Sequence, residues 1–243
     1  MKKIAVIPAR FAASRFPGKL MQKIGDKTII RMVYENVRSM QLFDDVFVVT
    51  DNDEILHEIQ SIDGSVIKSI REHQSGSDRI AEAILHLNAD VIVNVQGDEP
   101  FVNAAPLEKL LKVFEDKDVC VASVMQQLGT DEDINNPNVV KVVCDKNNNA
   151  LYFSRSPIPY KRNLQSSLPI YKHIGVYGYR KQTLLDFTKW PMGVLEQTEM
   201  LEQLRYLENG VKIKMVETTS SSMGIDTPED LEKAKLFYAN KNS

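Results

Sequence analysis

Four short runs in the first half of the chain are almost continuously apolar: residues 4–8, 46–50, 90–95 and 119–124. No other feature constrains the fold as much. A strand with one wet face alternates apolar and polar residues; an unbroken apolar run suits a strand buried on both faces, as in a parallel sheet. Longer amphipathic stretches separate these runs. Residues 28–40 place Ile29, Met32, Val33, Asn36 and Val37 at helical spacing. Residues 51–62 predict a helix that Asp51 or Asp53 can cap, and residues 77–87 one capped by Ser75 or Ser77. A short strand fits residues 65–68, and a helix with Pro106 near its first turn fits 106–115. Strand and helix in strict alternation predict an α/β fold with a mostly parallel, Rossmann-like sheet and helices on both faces.

The pattern changes after residue 125. Strand-like stretches at 139–144, 151–154 and 174–179 are separated by loops rich in Asn and Pro. Helices are expected at 181–189 and 197–209, the second ended by Gly210. A late strand at 212–216 precedes a helix at 227–238, with Thr227 as cap, Pro228 at the first helical position and Glu229 and Asp230 in the first turn. The simplest organisation is a single domain with an inserted β-rich lobe. Residues 1–125 and 210–243 then form the core, and residues 126–209 the lobe.

With 243 residues, 43% of them hydrophobic, the chain can bury a sizeable core. A formal charge of -3 gives no basic field for DNA or RNA. No apolar run approaches a membrane span, and the N-terminal apolar run, about five residues, is too short for a signal peptide. A cytoplasmic protein is expected, with Cys120 and Cys144 as buried free thiols whose spacing fits no zinc site.

Basic residues concentrated in one loop need a local explanation. Residues 8–19 follow the first strand, at the carboxyl end of the sheet, where ligands of open α/β folds bind. Arg10, Arg15 and Lys19 bring three cations, small residues such as Ser14 leave backbone N–H groups accessible, and Gly18 permits a turn. This is a cradle for a polyphosphate, although it lacks the Walker pattern. Asp98 follows the most apolar strand and can ligate Mg²⁺; Asp226, just before the last helix, can supply a second carboxylate to the same ion.

Residues 72–79 set polar side chains and a glycine before a helix N-terminus. There Gln74 can read a nucleobase edge and Arg79 can meet a carboxylate. His173, Tyr177 and Tyr179 alternate along one strand and share a face suited to sugar hydroxyls, which Glu202 and Gln203 on a predicted helix can complete. His57 and His86 read as surface residues. No Ser/His/Asp or Cys/His arrangement argues for covalent catalysis.

In order along nearly the whole chain, these blocks resemble the 3-deoxy-manno-octulosonate (Kdo) cytidylyltransferase family. The resemblance rests on residues 7–10, 14–19, 73–76, 94–100, 138–143, 151–155, 173–180, 199–205 and 224–230. It implies a nucleotidyltransferase fold, a homodimer, Mg²⁺, and CTP and Kdo as substrates, in lipopolysaccharide synthesis. By that resemblance Arg10, Ser14, Arg15 and Lys19 bind the triphosphate, and His73, Gln74, Ser75 and Gly76 the cytosine. Asp98 and Asp226 hold the metal and, with Arg15 and Lys19, form the catalytic set. Arg79, Gln96, Arg155, His173, Tyr177, Glu202 and Gln203 form the sugar site, in which Arg79 or Arg155 pairs with the sugar's carboxylate. The family loop usually reads Leu-Pro-Gly-Lys-Pro-Leu; here Phe16 precedes Pro17 and Leu20 follows Lys19, apolar changes that keep the cations. Sialic acid or an amino-substituted Kdo is the nearest rival acceptor. A non-catalytic sugar-nucleotide sensor and a purely structural dimerisation module are the rival classes; the first is disfavoured by the presence of Lys19, Asp98 and Asp226, and the second leaves those charges unexplained.

Overall fold

The computed structural model describes residues 1–11, 16–71, 73, 76–129, 134–163, 169–220 and 223–241. Two compact units divide the chain: Met1–Ala104 with Ser221–Ser243, and Ala105–Ser220.

In the first unit the chain runs through β1 (Lys3–Ala9), the two-residue strands β2 (Lys23–Ile24) and β3 (Lys27–Thr28), and α1 (Ile29–Ser39). It continues through β4 (Asp45–Thr50), α2 (Asp53–Gln60), β5 (Val66–Lys68), α3 (Gly76–Ile84) and β6 (Val91–Asn94). β1 pairs in parallel with β4 on one side and β6 on the other, and β4 pairs in parallel with β5. The continuous apolar runs behave as expected: Ile4, Ala5, Val6 and Ile7 of β1 and Val91, Ile92 and Val93 of β6 are all buried. Burial of each such Val or Ile contributes about 1.5–3 kcal/mol. Chain direction reverses its lateral progress at β1, and this switch point opens at the carboxyl ends of β1 and β6.

Thr28 caps α1 by accepting from the Arg31 backbone N–H. α2 differs from expectation. Its cap is Asn52, whose Oδ1 accepts from Ile55 N at 3.0 Å, because the Asp51 carboxylate is engaged with Arg79.

The second unit opens with α4 (Ala104–Lys112) and continues through β7 (Val121–Gln127), β8 (Lys141–Cys144), β9 (Ala150–Ser154) and β10 (Tyr171–Arg180). Then come α5 (Lys181–Phe187), α6 (Val194–Glu199), α7 (Leu204–Glu208) and β11 (Ile213–Thr218). β7 pairs in parallel with β11 but antiparallel with β10; β10 pairs antiparallel with β8, and β8 with β9. The single helix expected over 197–209 is two short helices. Met200 adopts φ 52°, a left-handed conformation that stops α6, so Glu202 and Gln203 lie in the turn before α7. Gly178 packs so closely that a Cβ there would meet the Phe114 ring at 2.6 Å. Cys120 and Cys144 are free, and both are partly accessible rather than buried.

The last helix, α8 (Pro228–Lys241), returns to the first unit. Thr227 and Asp230 form a reciprocal cap: Thr227 Oγ1 accepts from Asp230 N, and Asp230 Oδ2 accepts from Thr227 N. Among the described residues no helix is long and apolar enough to cross a membrane.

Candidate active site

Three distant segments of the first unit converge at the carboxyl ends of β1 and β6. After β1 the Gly18 N–H donates to the Phe11 carbonyl at 2.9 Å, and Gly18 takes a left-handed φ of 68°. Lys19 follows at once. The loop after β6 is drawn tight by Gly97, where a Cβ would stand 3.0 Å from the Pro8 carbonyl oxygen. Asn36 on α1 steadies that loop further on, donating to the carbonyls of Pro100 and Val102. The segment before α8 is tied in by one backbone bond, from Ile225 N–H to the Asp98 carbonyl at 3.0 Å. That bond sets Asp226 beside Asp98.

The result is a cation held between two carboxylates. Lys19 Nζ lies 2.6 Å from Asp98 Oδ2 and 2.9 Å from Asp226 Oδ1. The lysine side chain is 11% exposed, against 25% for Asp98 and 49% for Asp226. Burial alone lowers the Lys19 pKa, but attraction and hydrogen bonds from the two carboxylates outweigh it and raise the pKa above the ordinary lysine value. The ammonium is therefore charged throughout the neutral range. Among the described residues no cluster of three or more His, Cys, Asp or Glu could cage a metal. Two convergent carboxylates nonetheless fit Mg²⁺, which takes one or two protein carboxylates and completes its shell with water and phosphate oxygens.

A second charged group stands at the ends of β1 and β4. Arg79 on α3 donates from Nη2 to Asp51 Oδ2 at 2.7 Å, which lowers the Asp51 pKa. The Arg79 side chain is 3% exposed, and its Nε and Nη1 are buried without hydrogen-bond partners among the described residues. Arg10 Nη2 is likewise buried and without a partner among them. Buried donors without acceptors are rare and cost free energy unless a ligand satisfies them.

Of the segment expected to read the base, His73 and Gly76 are described. His73 Nε2 lies 2.8 Å from Glu82 Oε2, which also accepts from Ser69 Oγ at 2.6 Å. Burial raises the Glu82 pKa, but these hydrogen bonds prevail and lower it. Glu82, which the sequence did not single out, thus anchors His73 to α3. Gly76 is the first residue of α3, and Gln96 sits partly buried just after β6. The expectations for Ser14, Arg15, Gln74 and Ser75 lie outside the described residues.

The second unit gathers the other candidates on an aromatic row. The His173 and Tyr177 ring centroids are 5.2 Å apart, Tyr177 and Tyr179 stack at 5.7 Å, and Tyr179 stacks on Tyr206 at 6.0 Å. In a regular strand, positions four apart are separated by about 13 Å. The register shift between Ile174 and Tyr177 is a bulge that brings His173 against Tyr177. Burial pushes the His173 imidazole down to about 3. Tyr177 and Tyr206 are pushed well up by burial and, to a lesser degree, by neighbouring groups including Glu202. All three rings are neutral at physiological pH. The Tyr206 hydroxyl, also missed by the sequence reading, is buried without a hydrogen-bond partner among the described residues. Gln203 is buried, and Glu202 is partly accessible.

Arg155 is used differently. Its Nε, Nη1 and Nη2 donate to the carbonyls of Glu199, Pro137 and Met200. The Glu199 carboxylate accepts from Ser154 Oγ and Arg155 N–H, and the buried Lys141 ammonium donates to the carbonyls of Asn136 and Arg155. Arg155 therefore clamps the loops around β9, and Arg79 is the better prepared of the two arginines for a carboxylate ligand.

The first unit holds a cation between two carboxylates at the carboxyl edge of its parallel strands, and the chain belongs to the cytidylyltransferase family of nucleotidyltransferases, whose profile matches residues 4–213. It is 58% identical over 240 residues to the 3-deoxy-manno-octulosonate cytidylyltransferase of Flavobacterium johnsoniae, covering 98% of each chain. It is 53% identical to the protein of the same name from Christiangramia forsetii, covering 97% of this chain and 96% of that one. Among solved structures, CMP:2-keto-3-deoxy-manno-octonic acid synthetase complexed with CTP superposes with a TM-score of 0.94. Its sequence is 37% identical, with coverage of 99% of this chain and 100% of that one. A 4-diphosphocytidyl-2C-methyl-D-erythritol synthase from Anaerococcus prevotii, 15% identical with a TM-score of 0.66, shares the fold.

Proposed function

We propose that this chain transfers the cytidylyl group of CTP to Kdo, giving CMP-Kdo and pyrophosphate for lipopolysaccharide synthesis. The carrying observation is the convergence of Lys19 with Asp98 and Asp226, in a chain so similar over its whole length to Kdo cytidylyltransferases. The anomeric hydroxyl oxygen of the sugar bonds to the α-phosphorus, the bond from that phosphorus to the bridging oxygen breaks, pyrophosphate leaves, and the hydroxyl proton is released. Such transfers need positioning and charge stabilisation more than covalent chemistry.

In this reading Arg10, Ser14, Arg15 and Lys19 hold the triphosphate, and His73, Gln74, Ser75 and Gly76 the base. Lys19 stabilises charge on the departing pyrophosphate. Asp98 and Asp226 hold Mg²⁺, which when bound offsets phosphate charge and lowers the pKa of the attacking hydroxyl. Arg79, with two buried nitrogens that have no hydrogen-bond partner among the described residues, takes an anionic group of the substrates. Gln96, His173, Tyr177, Glu202 and Gln203 orient the sugar, and Arg155 fixes the loops that carry part of that set. The family resemblance supports a cytoplasmic homodimer, and sedimentation at micromolar concentration tests the dimer.

The deciding experiment measures pyrophosphate release from CTP and Mg²⁺ with Kdo, sialic acid or 8-amino-Kdo supplied in turn. Turnover with Kdo at the highest kcat/KM is the expected result. Preference for either other acid reassigns the acceptor, and no release with any of them removes the catalytic reading.

A further inference from the structure

Ser123 stands in the apolar strand β7, fully buried, at the point where β10 bulges. Its hydroxyl oxygen has three polar neighbours: the Val176 carbonyl at 2.8 Å, His173 Nε2 at 2.9 Å and the Ile174 carbonyl at 3.3 Å. A serine hydroxyl has one proton, and carbonyl oxygens only accept. If that proton went to the imidazole, both carbonyls would face lone pairs of the serine oxygen. If it goes to Val176, the closest neighbour, the ring must supply the proton of the third contact. Only the second arrangement leaves no acceptor facing acceptor across the two shorter contacts.

We infer that Ser123 is a positioning residue that fixes His173 as the Nε2–H tautomer, leaving Nδ1 as a neutral acceptor for a substrate hydroxyl. This inference rests on the reading of His173 as a sugar ligand. The ring is held from turning by Phe153, edge-on at 5.1 Å, and by Tyr177 at 5.2 Å. Nδ1 makes no hydrogen bond to any described residue, while the side chain remains partly accessible. Burial keeps the ring from taking a second proton in the neutral range. A neutral lone pair attracts hydroxyl donors and repels carboxylate and phosphate oxygens. His173 would then read the polyol part of an acidic sugar, while the acid group is recognised elsewhere by a guanidinium.

Ring-¹⁵N-labelled protein tests this by NMR, with the His173 signals assigned by their loss in His173→Gln. The expected result in the free wild type is a protonated Nε2 and a bare Nδ1 whose resonance shifts as Kdo is titrated in. Ser123→Ala should redistribute the tautomers and raise KM for Kdo about tenfold, the equivalent of one good hydrogen bond, with KM for CTP unchanged. A protonated Nδ1 in the free wild type overturns the inference, whether or not the variant folds. So does a Ser123→Ala protein with unchanged tautomer and unchanged KM for Kdo. Failure of the functional reading would show separately, as absence of pyrophosphate release by the wild type with Kdo, and would leave the tautomer itself measurable.

Discussion

In the first unit Lys19, Arg10 and Arg79 stand with Asp51, Asp98 and Asp226 at the carboxyl ends of parallel strands. In the second, His173, Tyr177 and Tyr179 line the bulged antiparallel strand β10 and Tyr206 stands on α7. Desolvation acts on both Lys19 and His173, but with opposite outcomes. Around Lys19, opposite charges outweigh desolvation and keep the ammonium ionised. Around His173 no opposite charge does so, and desolvation makes the ring neutral. One unit is suited to ligands that carry charge, the other to ligands that carry hydroxyls.

Removing a charge from the first unit should abolish chemistry. Asp98→Ala is expected to lower kcat by more than about a thousandfold, as loss of a principal electrostatic group does. Chelation by EDTA should likewise stop turnover of the wild type, and added Mg²⁺ should restore it. An Asp98→Ala enzyme of near-normal kcat would erase the contrast.

Neutrality in the second unit has a pH signature. The folded imidazole titrates near 3, whereas an exposed histidine titrates near 6.5. Below pH 6.5 the unfolded chain takes up a proton that the folded ring refuses, so stability falls as pH drops from 6.5 toward 3. Between pH 7 and pH 4.5 the wild type should lose about 2 kcal/mol more than His173→Gln in urea unfolding. Parallel curves for the two proteins would mean that the folded ring takes up a proton as readily as the unfolded one.

Smaller effects separate clamp from ligand. Arg155→Ala should lower unfolding stability by about 1–2 kcal/mol through the lost bonds to Glu199, Pro137 and Met200. Arg79→Ala should act first on substrate KM; if Arg155→Ala raises KM for Kdo more than Arg79→Ala does, the two assignments exchange. Smallest of all, Asn52→Ala should cost about 1 kcal/mol of stability through the lost α2 cap, leaving turnover as it was.

The parallel strands were legible because burial on both faces writes itself as an unbroken apolar run, as in β1 and β6. Lys19, Asp98 and Asp226 were legible as charges stranded in loops after or beside such runs, and the structure brings the three together. Asp51 misled, because an aspartate before a helix reads as a cap; a pairing with Arg79, 28 positions away, leaves no local trace. The break at Met200 was hidden for a similar reason, since nothing in its side chain announces a left-handed backbone. Ser123 carried a faint signal, a lone hydroxyl inside an apolar strand, which acquires meaning only when the bulge of β10 sets His173 beside it.

The bond from Ile225 to Asp98 has a consequence for biosynthesis. A ribosome releases Lys19 and Asp98 early, and the strands bearing them can pair while the remainder is still being translated. Asp226 emerges only after the whole second unit, more than a hundred codons later. Until then Lys19 faces one carboxylate instead of two, so a nascent chain can form most of its first sheet yet lack the paired-acid centre on which turnover is proposed to depend. Catalytic competence would thus be gained abruptly, near the end of synthesis, and not in proportion to the length of chain already folded.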